Sequence, residues 1–154
     1  MHMGQPKKIP LKIVIKNDEK ELLPFYATED SAGADLKANI ENSIDLEPNK
    51  SVLIPTGLFL EIPKGFEVQI RPRSGLALNH QITVLNTPGT IDADYRGEVK
   101  IILINHSSKI FTIKCKMKIA QMILCPIYQA EFLTCEKLAV SNRGGKGFGH
   151  SGSY

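Results

Sequence analysis

The amino-acid sequence predicts an all-β domain, a sandwich or barrel with one short helix. Apolar and polar residues alternate in several segments, which is the pattern of strands with one buried face. Glycine and proline turn signals recur about every eight to twelve residues, which is typical of sandwiches and barrels rather than of alternating strand–helix–strand units. Because no long stretch keeps a 3.6-residue apolar period, an extended helix is not expected.

The predicted elements follow one another in chain order. Half-buried strands are predicted in three alternating segments: Leu11-Ile13-Ile15, Phe66-Val68-Ile70 and Phe111-Ile113-Cys115. Residues 99–104 are apolar on both faces apart from Lys100, so they predict a strand that is covered on two sides. The short helix is predicted at residues 75–80, with Ser74 as its N-cap, because a serine hydroxyl accepts hydrogen bonds from free N–H groups at a helix start.

The length of 154 residues predicts a single domain over residues 1–154. A hydrophobic content of 42% and a charged content of 23% exclude a disordered protein. The first residues contain a second possible start at Met3, and residues 1–8 are expected to be disordered or derived from an expression vector. The longest apolar runs have four residues, whereas a membrane span needs roughly twenty, so no membrane association is expected.

The three cysteines predict a reducing compartment. Cys115, Cys125 and Cys135 are an odd number without a C-x-x-C pair, which fits neither a disulfide framework nor a zinc site. We expect reduced thiols that face a packed interior. Together with the absence of a secretory leader pattern at the start of the sequence, this predicts a cytoplasmic protein.

The distribution of positive charge favours a small phosphorylated ligand over nucleic acid. The net charge is only +3, the chain has no tryptophan, and the lysines do not form a dense stripe, so no nucleic-acid partner is expected. Only four of the 19 basic residues are arginine, and all four lie in segments rich in Gly, Pro, Ser or Asp. A guanidinium offers a fixed fork of donors that matches phosphate oxygens.

Residues 71–77 carry the first candidate site. A strand ends there, two arginines flank Pro72, and Ser74-Gly75 begins a helical turn. Free N–H groups, a hydroxyl and the guanidinium of Arg73 together form an anion site. Ser-Gly turns are common, so this motif alone is a moderate signal.

Residues 86–98 carry the second candidate site, an elaborated hairpin between apolar strands at 82–85 and 99–104. Asp92 and Asp94 point to the same face if the backbone is extended. Asp92 is the candidate general base toward water, whereas Asp94 is expected to pair with Arg96 and to stabilise the loop.

Three further features leave alternatives open. Asp35 enters a strand after Gly33 and is as readily a turn residue as a ligand. Gln121 is a polar residue inside an apolar strand and needs a hydrogen-bond partner if it is buried. Residues 142–152 hold five of the twelve glycines, and they are either a disordered terminus or a flap that orders over a ligand.

Taken together, these segments resemble the five ordered motifs of the trimeric dUTP pyrophosphatases. The resemblance runs from about residue 10 to the C-terminus, and it implies a jelly-roll trimer with active sites between subunits. It also implies a flexible glycine-rich flap at 141–154. The matching segments are Ala32-Gly33-Ala34-Asp35-Leu36, residues 71–77, residues 89–98, Ile119-Ala120-Gln121 and residues 143–152.

The resemblance implies hydrolysis of dUTP to dUMP and pyrophosphate, which lowers dUTP and supplies dUMP for thymidylate synthesis. Asp92 would contact the 3′-hydroxyl and activate the water that attacks the α-phosphorus. Tyr95 would lie beneath the sugar and exclude a 2′-hydroxyl. The uracil and deoxyribose would be held by the hairpin, including Asn86, Thr90, Ile91 and Lys100.

The resemblance also implies how the triphosphate is held. Arg73, Ser74, Gly75 and Gln121 would bind the phosphates, and Asp35 would hold a Mg²⁺ ion through coordinated water. From the flap, Arg143 would reach the phosphates, the ring of Phe148 would cover the base, and Gly149 would also bind the substrate. The tail departs from the family's commonest pattern at His150, where a serine is usual. Two alternatives remain: a dCTP deaminase-like enzyme of the same fold, and a non-catalytic interaction module.

Overall fold

The computed structural model describes residues 6–147, and its elements are nearly all strands. The only α-helix among these residues is α1, Ser74–His80, and two 3₁₀ turns lie at Lys16–Asp18 and Lys20–Leu22. The strands are β1 Lys12–Ile15, β2 Phe25–Tyr26, β3 Ala34–Lys37, β4 Ile44–Leu46, β5 Ser51–Glu61, β6 Phe66–Arg71, β7 Ile82–Val84, β8 Gly89–Ile91, β9 Glu98–Asn105, β10 Phe111–Ile113 and β11 Lys118–Pro126. The predicted all-β class with one short helix is confirmed.

The strands form two main sheets and a small ribbon. One sheet has four strands in the order β1-β5-β9-β7, the other has five in the order β2-β3-β11-β6-β8, and β10 pairs with β4. All of these pairings are antiparallel. The predicted hairpin flanks are confirmed because β7 pairs with β9, but the segment between them crosses to the other sheet, where β8 pairs with β6.

The hydrophobic core lies between the two main sheets. Each sheet contributes an apolar inner face, and the two faces belong to one cluster of buried side chains. Fully buried members include Ile54, Leu58 and Leu103 from the first sheet and Leu36 and Val68 from the second. Burying side chains of this size gives about 1.5–3 kcal/mol each, so the core fixes the relative position of the two sheets.

The alternating segments predicted their strands well, but the cysteine prediction was wrong for two residues. The alternation around Phe111 ends with β10 at Ile113, and the chain then turns, with Lys116 at φ 58°. Cys115 lies in this turn and is exposed, as is Cys135, whereas Cys125 is half-buried. The alternating pattern ran past the end of the strand, where turn formation decides which side chains meet solvent.

The outer face of the first sheet is apolar and largely uncovered. Val14, Leu53 and Leu85 are 67%, 54% and 51% exposed. On β9, the outward side chains of Ile102 and Ile104 are only half-buried. Residues 99–104 were predicted to be covered on two sides. Within a single chain only their inner side is covered, so this prediction is met on one side.

The last described segment, residues 127–147, contains neither a strand nor a helix. Its large apolar side chains are exposed, among them Tyr128 at 98%, Phe132 at 93% and Val140 at 101%. Within residues 6–147, no helix has the length and apolarity that a membrane crossing requires.

Candidate active site

Two hollows on the surface collect most of the predicted site residues. The first encloses about 450 Å³ and lies where β3, the end of β6, the start of α1 and β11 meet. It contains Asp35, Arg73, Ser74, Gly75 and Gln121, which the sequence had placed in three separate motifs. The pairing of β11 with both β3 and β6 brings these motifs together, because Gln121 is the register partner of Asp35 on one side and of Arg71 on the other.

An ion-pair network organises the first hollow. Arg73 Nε donates to Asp35 Oδ1 at 2.9 Å, and Lys118 Nζ lies 3.2 Å from Asp35 Oδ2. The carboxylate side chain is only 14% exposed, and the two cationic side chains are 32% and 39% exposed. Charge-assisted hydrogen bonds of this kind contribute about 1.5–3 kcal/mol when they are partly shielded from water. Asp35 therefore holds the guanidinium of Arg73 in a fixed place beside the helix start.

Gln121 is held at the floor of the same hollow. Its Nε2 donates to the carbonyl of Pro72 at 2.9 Å, which provides the partner that the sequence required. Its Oε1 packs against Gly33, where an added Cβ would overlap this oxygen. Glycine at position 33 is thus needed for the close approach of Gln121, and the second N–H of the amide remains for a ligand.

The helix start differs by one residue from the prediction. α1 begins at Ser74, so Arg73 is the N-cap residue, and no side chain caps the helix. Arg73 has extended backbone angles, φ −92° and ψ 130°, which continue the direction of the preceding strand through Pro72. Ser74 and Gly75 are both exposed, and a Cβ at Gly75 would meet no atom within 4 Å. The open helix start leaves their N–H groups accessible to an anion.

The second hollow encloses about 390 Å³ and lies beside the loop between β8 and β9. The hairpin residues Thr90, Ile91, Asp92, Tyr95 and Lys100 line it, together with Leu53 and Glu98. The two hollows share no lining residue in the described chain. Asn86 lines neither of them; its amide nitrogen packs 3.1 Å from the Cβ position of Gly89, next to the cis peptide bond between Thr87 and Pro88.

The carboxylates of this loop differ from Asp35. Asp92 is exposed, and its side chain has neither a hydrogen bond nor an ion pair with any residue in 6–147.

The predicted pair between Asp94 and Arg96 was wrong. Arg96 Nη1 donates instead to the carbonyl oxygens of Ala93 at 2.7 Å and Tyr95 at 3.0 Å, because the turn brings these acceptors closer than the neighbouring carboxylate.

Tyr95 is folded back over the loop. Its hydroxyl donates to the carbonyl of Glu98 at 3.1 Å, and the ring covers Gly97, where any Cβ would overlap the phenol. The ring is 45% exposed and faces the second hollow. Lys100 stands beside it with Nζ 3.9 Å from Glu98 Oε2.

Arg143, the predicted tail residue that the structure describes, lines neither hollow. Arg143 is exposed, and its Nε donates to the carbonyl of Lys146 at 2.8 Å within a local turn. Phe148 and Gly149 lie outside the described residues, as do His150 and residues 1–5. Their predicted roles in a flap stay predictions.

Three residues around the hollows escaped the sequence-based selection of site residues. Arg71 lines the first hollow, where its Nη2 donates to Gln69 Oε1 at 2.6 Å. Lys118 completes the Asp35 network, and Glu98 lines the second hollow. Arg71 and Glu98 stand inside the candidate motifs, and Lys118 opens the segment that holds Gln121, so motif membership was the available signal.

Comparison with known proteins identifies a family. The dUTPase family model matches residues 19–152. The deoxyuridine 5′-triphosphate nucleotidohydrolase of Chlamydia pneumoniae is 58% identical over 132 residues, which cover 85% of this chain and 91% of the relative.

Solved structures share the fold. The dUTPase of Staphylococcus bacteriophage 80alpha with dUpNHpp matches at a TM-score of 0.79 and 24% identity, over 94% of this chain and 99% of that chain. A mutant dUTPase from phage phi11 of S. aureus, described for its coordination of a structural Mg(II) ion, matches at a TM-score of 0.72 and 22% identity, over 84% and 98% of the two chains. At these identities the likeness supports the jelly-roll fold alone. Because the family model covers nearly the whole sequence and the chlamydial relative is more than half identical, the chain belongs to the dUTPase family.

Proposed function

We propose that the chain hydrolyses dUTP to dUMP and pyrophosphate with Asp92 as the general base that activates the attacking water. The contrast between two carboxylates carries this assignment. Both oxygens of Asp35 are engaged by cations, Arg73 on one side and Lys118 on the other. The carboxylate of Asp92 has no partner within residues 6–147 and lines the hollow beside Tyr95, where a nucleotide sugar can be held. A base of this kind contributes about 10²–10⁴-fold to rate.

The second hollow is the proposed nucleoside site. Tyr95 offers a flat ring for the sugar on this hollow. With the sugar placed against that ring, Tyr95 would exclude a 2′-hydroxyl. Thr90, Ile91 and Lys100 line the remaining wall. Asn86 does not line the hollow, and its proposed role is to offer its amide to the uracil edge from the segment before β8. A site that pairs with the uracil edge rejects cytosine because a buried polar group would be left unpaired, at a cost of about 1–3 kcal/mol.

The first hollow is the proposed phosphate site. Arg73, the open N–H groups of Ser74 and Gly75, and the second amide hydrogen of Gln121 converge there. From the tail, Arg143 would add a second guanidinium, and Phe148 with Gly149 would cover the base. Closure of such a flap excludes bulk water from the reaction.

A Mg²⁺ ion fits this site only as a companion of the nucleotide. Residues 6–147 contain no group of three or more His, Cys, Asp or Glu side chains that could hold a metal ion. Asp35 is the carboxylate that would contact the ion through water, since each oxygen keeps a lone pair beyond its ion pair. When bound, the ion neutralises the triphosphate and improves pyrophosphate as a leaving group.

The assembly we propose is a homotrimer with active sites between subunits. Three observations support association of copies of this chain: the apolar outer face with Val14, Leu53 and Leu85, the exposed apolar side chains of residues 127–140, and the separation of the site residues into two hollows. Exposed apolar surface of this extent is typical of interfaces. The proposed role in the cell, in the cytoplasm, is to lower dUTP and to supply dUMP for thymidylate synthesis.

Substrate specificity tests the proposed function directly. Pyrophosphate release is measured from dUTP, UTP, dTTP and dCTP with Mg²⁺, and we expect turnover of dUTP alone at an appreciable rate. Ammonia release from dCTP would instead support a deaminase of the same fold, and no reaction with any nucleotide would support a non-catalytic module.

A pair of substitutions tests the role of Asp92 as general base. Asp92→Asn should keep affinity for the non-hydrolysable analogue dUpNHpp and lose about 10²–10⁴-fold in turnover. The matched control is Asp94→Asn, which removes a neighbouring exposed carboxylate of the same loop and should leave turnover within a few-fold of wild type. Wild-type turnover in the Asp92 variant would remove this residue from the mechanism.

A further inference from the structure

Tyr95 is tied to the start of strand β9. Its hydroxyl donates to the backbone carbonyl of Glu98 at 3.1 Å. A backbone hydrogen bond from the Tyr95 N–H to the carbonyl of Asp92 at 3.1 Å closes the turn that carries the ring. The ring is 45% exposed, so packing alone does not fix it. Its position therefore depends on where residue 98 is held.

Residue 98 is in turn held by its own side chain. Glu98 Oε1 accepts a hydrogen bond from the backbone N–H of Gly57 at 2.8 Å, across to strand β5. The carboxylate is only 16% exposed, and its second oxygen lies 3.9 Å from Lys100 Nζ. A hydrogen bond to a shielded carboxylate is stronger than one between neutral groups.

Gly57 is a rigid anchor because it belongs to a bulge packed into the core. The pairing of β5 with β9 passes from Pro55–Lys100 directly to Phe59–Glu98. The chain therefore advances four positions along β5 for two positions along β9. Gly57 has φ +71°, and an added Cβ would lie 2.6 Å from Asn39 Nδ2 and 2.9 Å from Leu22 Cδ1. Neither the backbone angle nor the surroundings allow this residue to shift easily.

We infer that Glu98 is a positioning residue that fixes Tyr95 through the Gly57 bulge and so sets the preference for deoxyribose over ribose. The inference rests on the proposed role of Tyr95 beneath the sugar. The side chain of Glu98 needs only an acceptor oxygen for this task, because the donor is a backbone N–H. Without this acceptor the start of β9 is no longer held in place, and the ring of Tyr95 then moves enough to make room for a 2′-hydroxyl.

The test measures kcat/KM for dUTP and for UTP in the full chain. Glu98→Ala should lower the dUTP/UTP ratio about tenfold, and part of this change should be a rise in kcat/KM for UTP itself. Glu98→Gln keeps an acceptor oxygen and should keep the ratio within about twofold of wild type. A gain of activity on UTP is a readout that general damage to the fold does not produce.

A destabilised control separates positioning from stability. Ile101→Val removes a buried methyl group from the same strand and should lower the melting temperature while leaving the ratio unchanged. If the ratio stays at the wild-type value in Glu98→Ala, or falls equally in Glu98→Gln, the inference is overturned.

A second variant tests the Tyr95 end of this hydrogen bond, and it keeps the inference testable even if Glu98→Ala does not fold. Tyr95→Phe keeps the ring but loses the hydrogen bond to residue 98, so the ratio should fall in the same direction, and the double variant should be no worse than the worse single variant. An unchanged ratio in Tyr95→Phe, or additive losses in the double variant, would contradict the inference. A wild-type enzyme that turns over UTP and dUTP equally would instead refute the proposed role of Tyr95, which is a separate outcome.

Discussion

Gly33→Ala is the substitution whose effect can be worked out most fully from the structure. The new Cβ would overlap Gln121 Oε1 and lie 3.0 Å from Cδ and 3.4 Å from Cβ of the same side chain. Gln121 lies on β11, which is paired on both sides, so its backbone cannot move away. The side chain must therefore rotate and break its 2.9 Å hydrogen bond to the Pro72 carbonyl.

The expected loss of stability is modest because the effects partly cancel. The lost hydrogen bond costs about 1 kcal/mol, and residual crowding costs about 1 kcal/mol in a hollow that is open to solvent. The more restricted unfolded chain of the alanine variant returns about 0.5 kcal/mol. A net loss of about 1.5 kcal/mol corresponds to a fall of about 3–6 °C in melting temperature for a domain of this size.

Nucleotide binding should weaken as well. In the proposed phosphate site, a rotated Gln121 would no longer present its amide to the phosphates, so affinity for dUpNHpp, measured by calorimetry, should fall about tenfold. In the double variant Gly33→Ala with Gln121→Ala, crowding is relieved, and stability should rise above that of Gly33→Ala while affinity stays low. Gly145→Ala is the control for stability, because a Cβ there meets no atom within 4 Å. Wild-type stability and affinity in Gly33→Ala would refute the reasoning.

Three further predictions address the fold and the tail. Asn105 is fully buried, and its side-chain N–H groups donate to the carbonyls of Leu46 and Lys109. Its side-chain oxygen accepts from the N–H and the hydroxyl of Ser107. Asn105→Ala should therefore lower the free energy of unfolding, measured in urea, by about 3 kcal/mol. A loss under 1 kcal/mol would contradict this account. The hydrogen bond and charge of Lys116 lower the pKa of Glu21 below 4.5, so this pair stabilises the fold above that pH and the contribution disappears as pH falls through the lowered pKa. Lys116→Met should therefore lower the melting temperature slightly at pH 7 and not at a pH low enough to protonate Glu21, and an equal deficit at both pH values would exclude the ion pair as its cause. Deleting residues 141–154 should leave the fold intact and the turnover of dUTP very low, whereas an active truncated enzyme would show that the tail is dispensable.

Much of the fold could be predicted because strand formation leaves a local signature. The alternation of Phe66, Val68 and Ile70 predicts β6 and its inward face, and Val68 and Ile70 are indeed buried. The same signature failed where a turn interrupted it, as at Cys115. The expected Asp94–Arg96 pair failed for a related reason, because charges two residues apart compete with backbone carbonyls that a turn brings closer.

The motifs of the site could be selected from the sequence, but their mutual contacts could not. Asp35 and Arg73 are 38 residues apart, and they meet because β11 pairs with both β3 and β6. That register is a property of the whole sheet, so no local pattern predicts that Asp35 binds Arg73 and Lys118. The residues alone left Asp35 open between a turn residue and a ligand, and the family resemblance implied a metal-contacting role; neither predicted its part in the ion-pair network.

In the proposed trimer, the position of Leu53 would link assembly to nucleotide binding. Its side chain lines the second hollow and also belongs to the apolar outer face of the first sheet, where it is 54% exposed beside Ile102. Burial of that face against a second copy is favourable by about 25 cal/mol per Å² of apolar area. The same burial would bring the second copy to the rim of the hollow that contains Asp92 and Tyr95. In the proposed trimer, the surface that drives association is therefore continuous with the nucleoside site, and weakening the interface should weaken nucleotide binding with it.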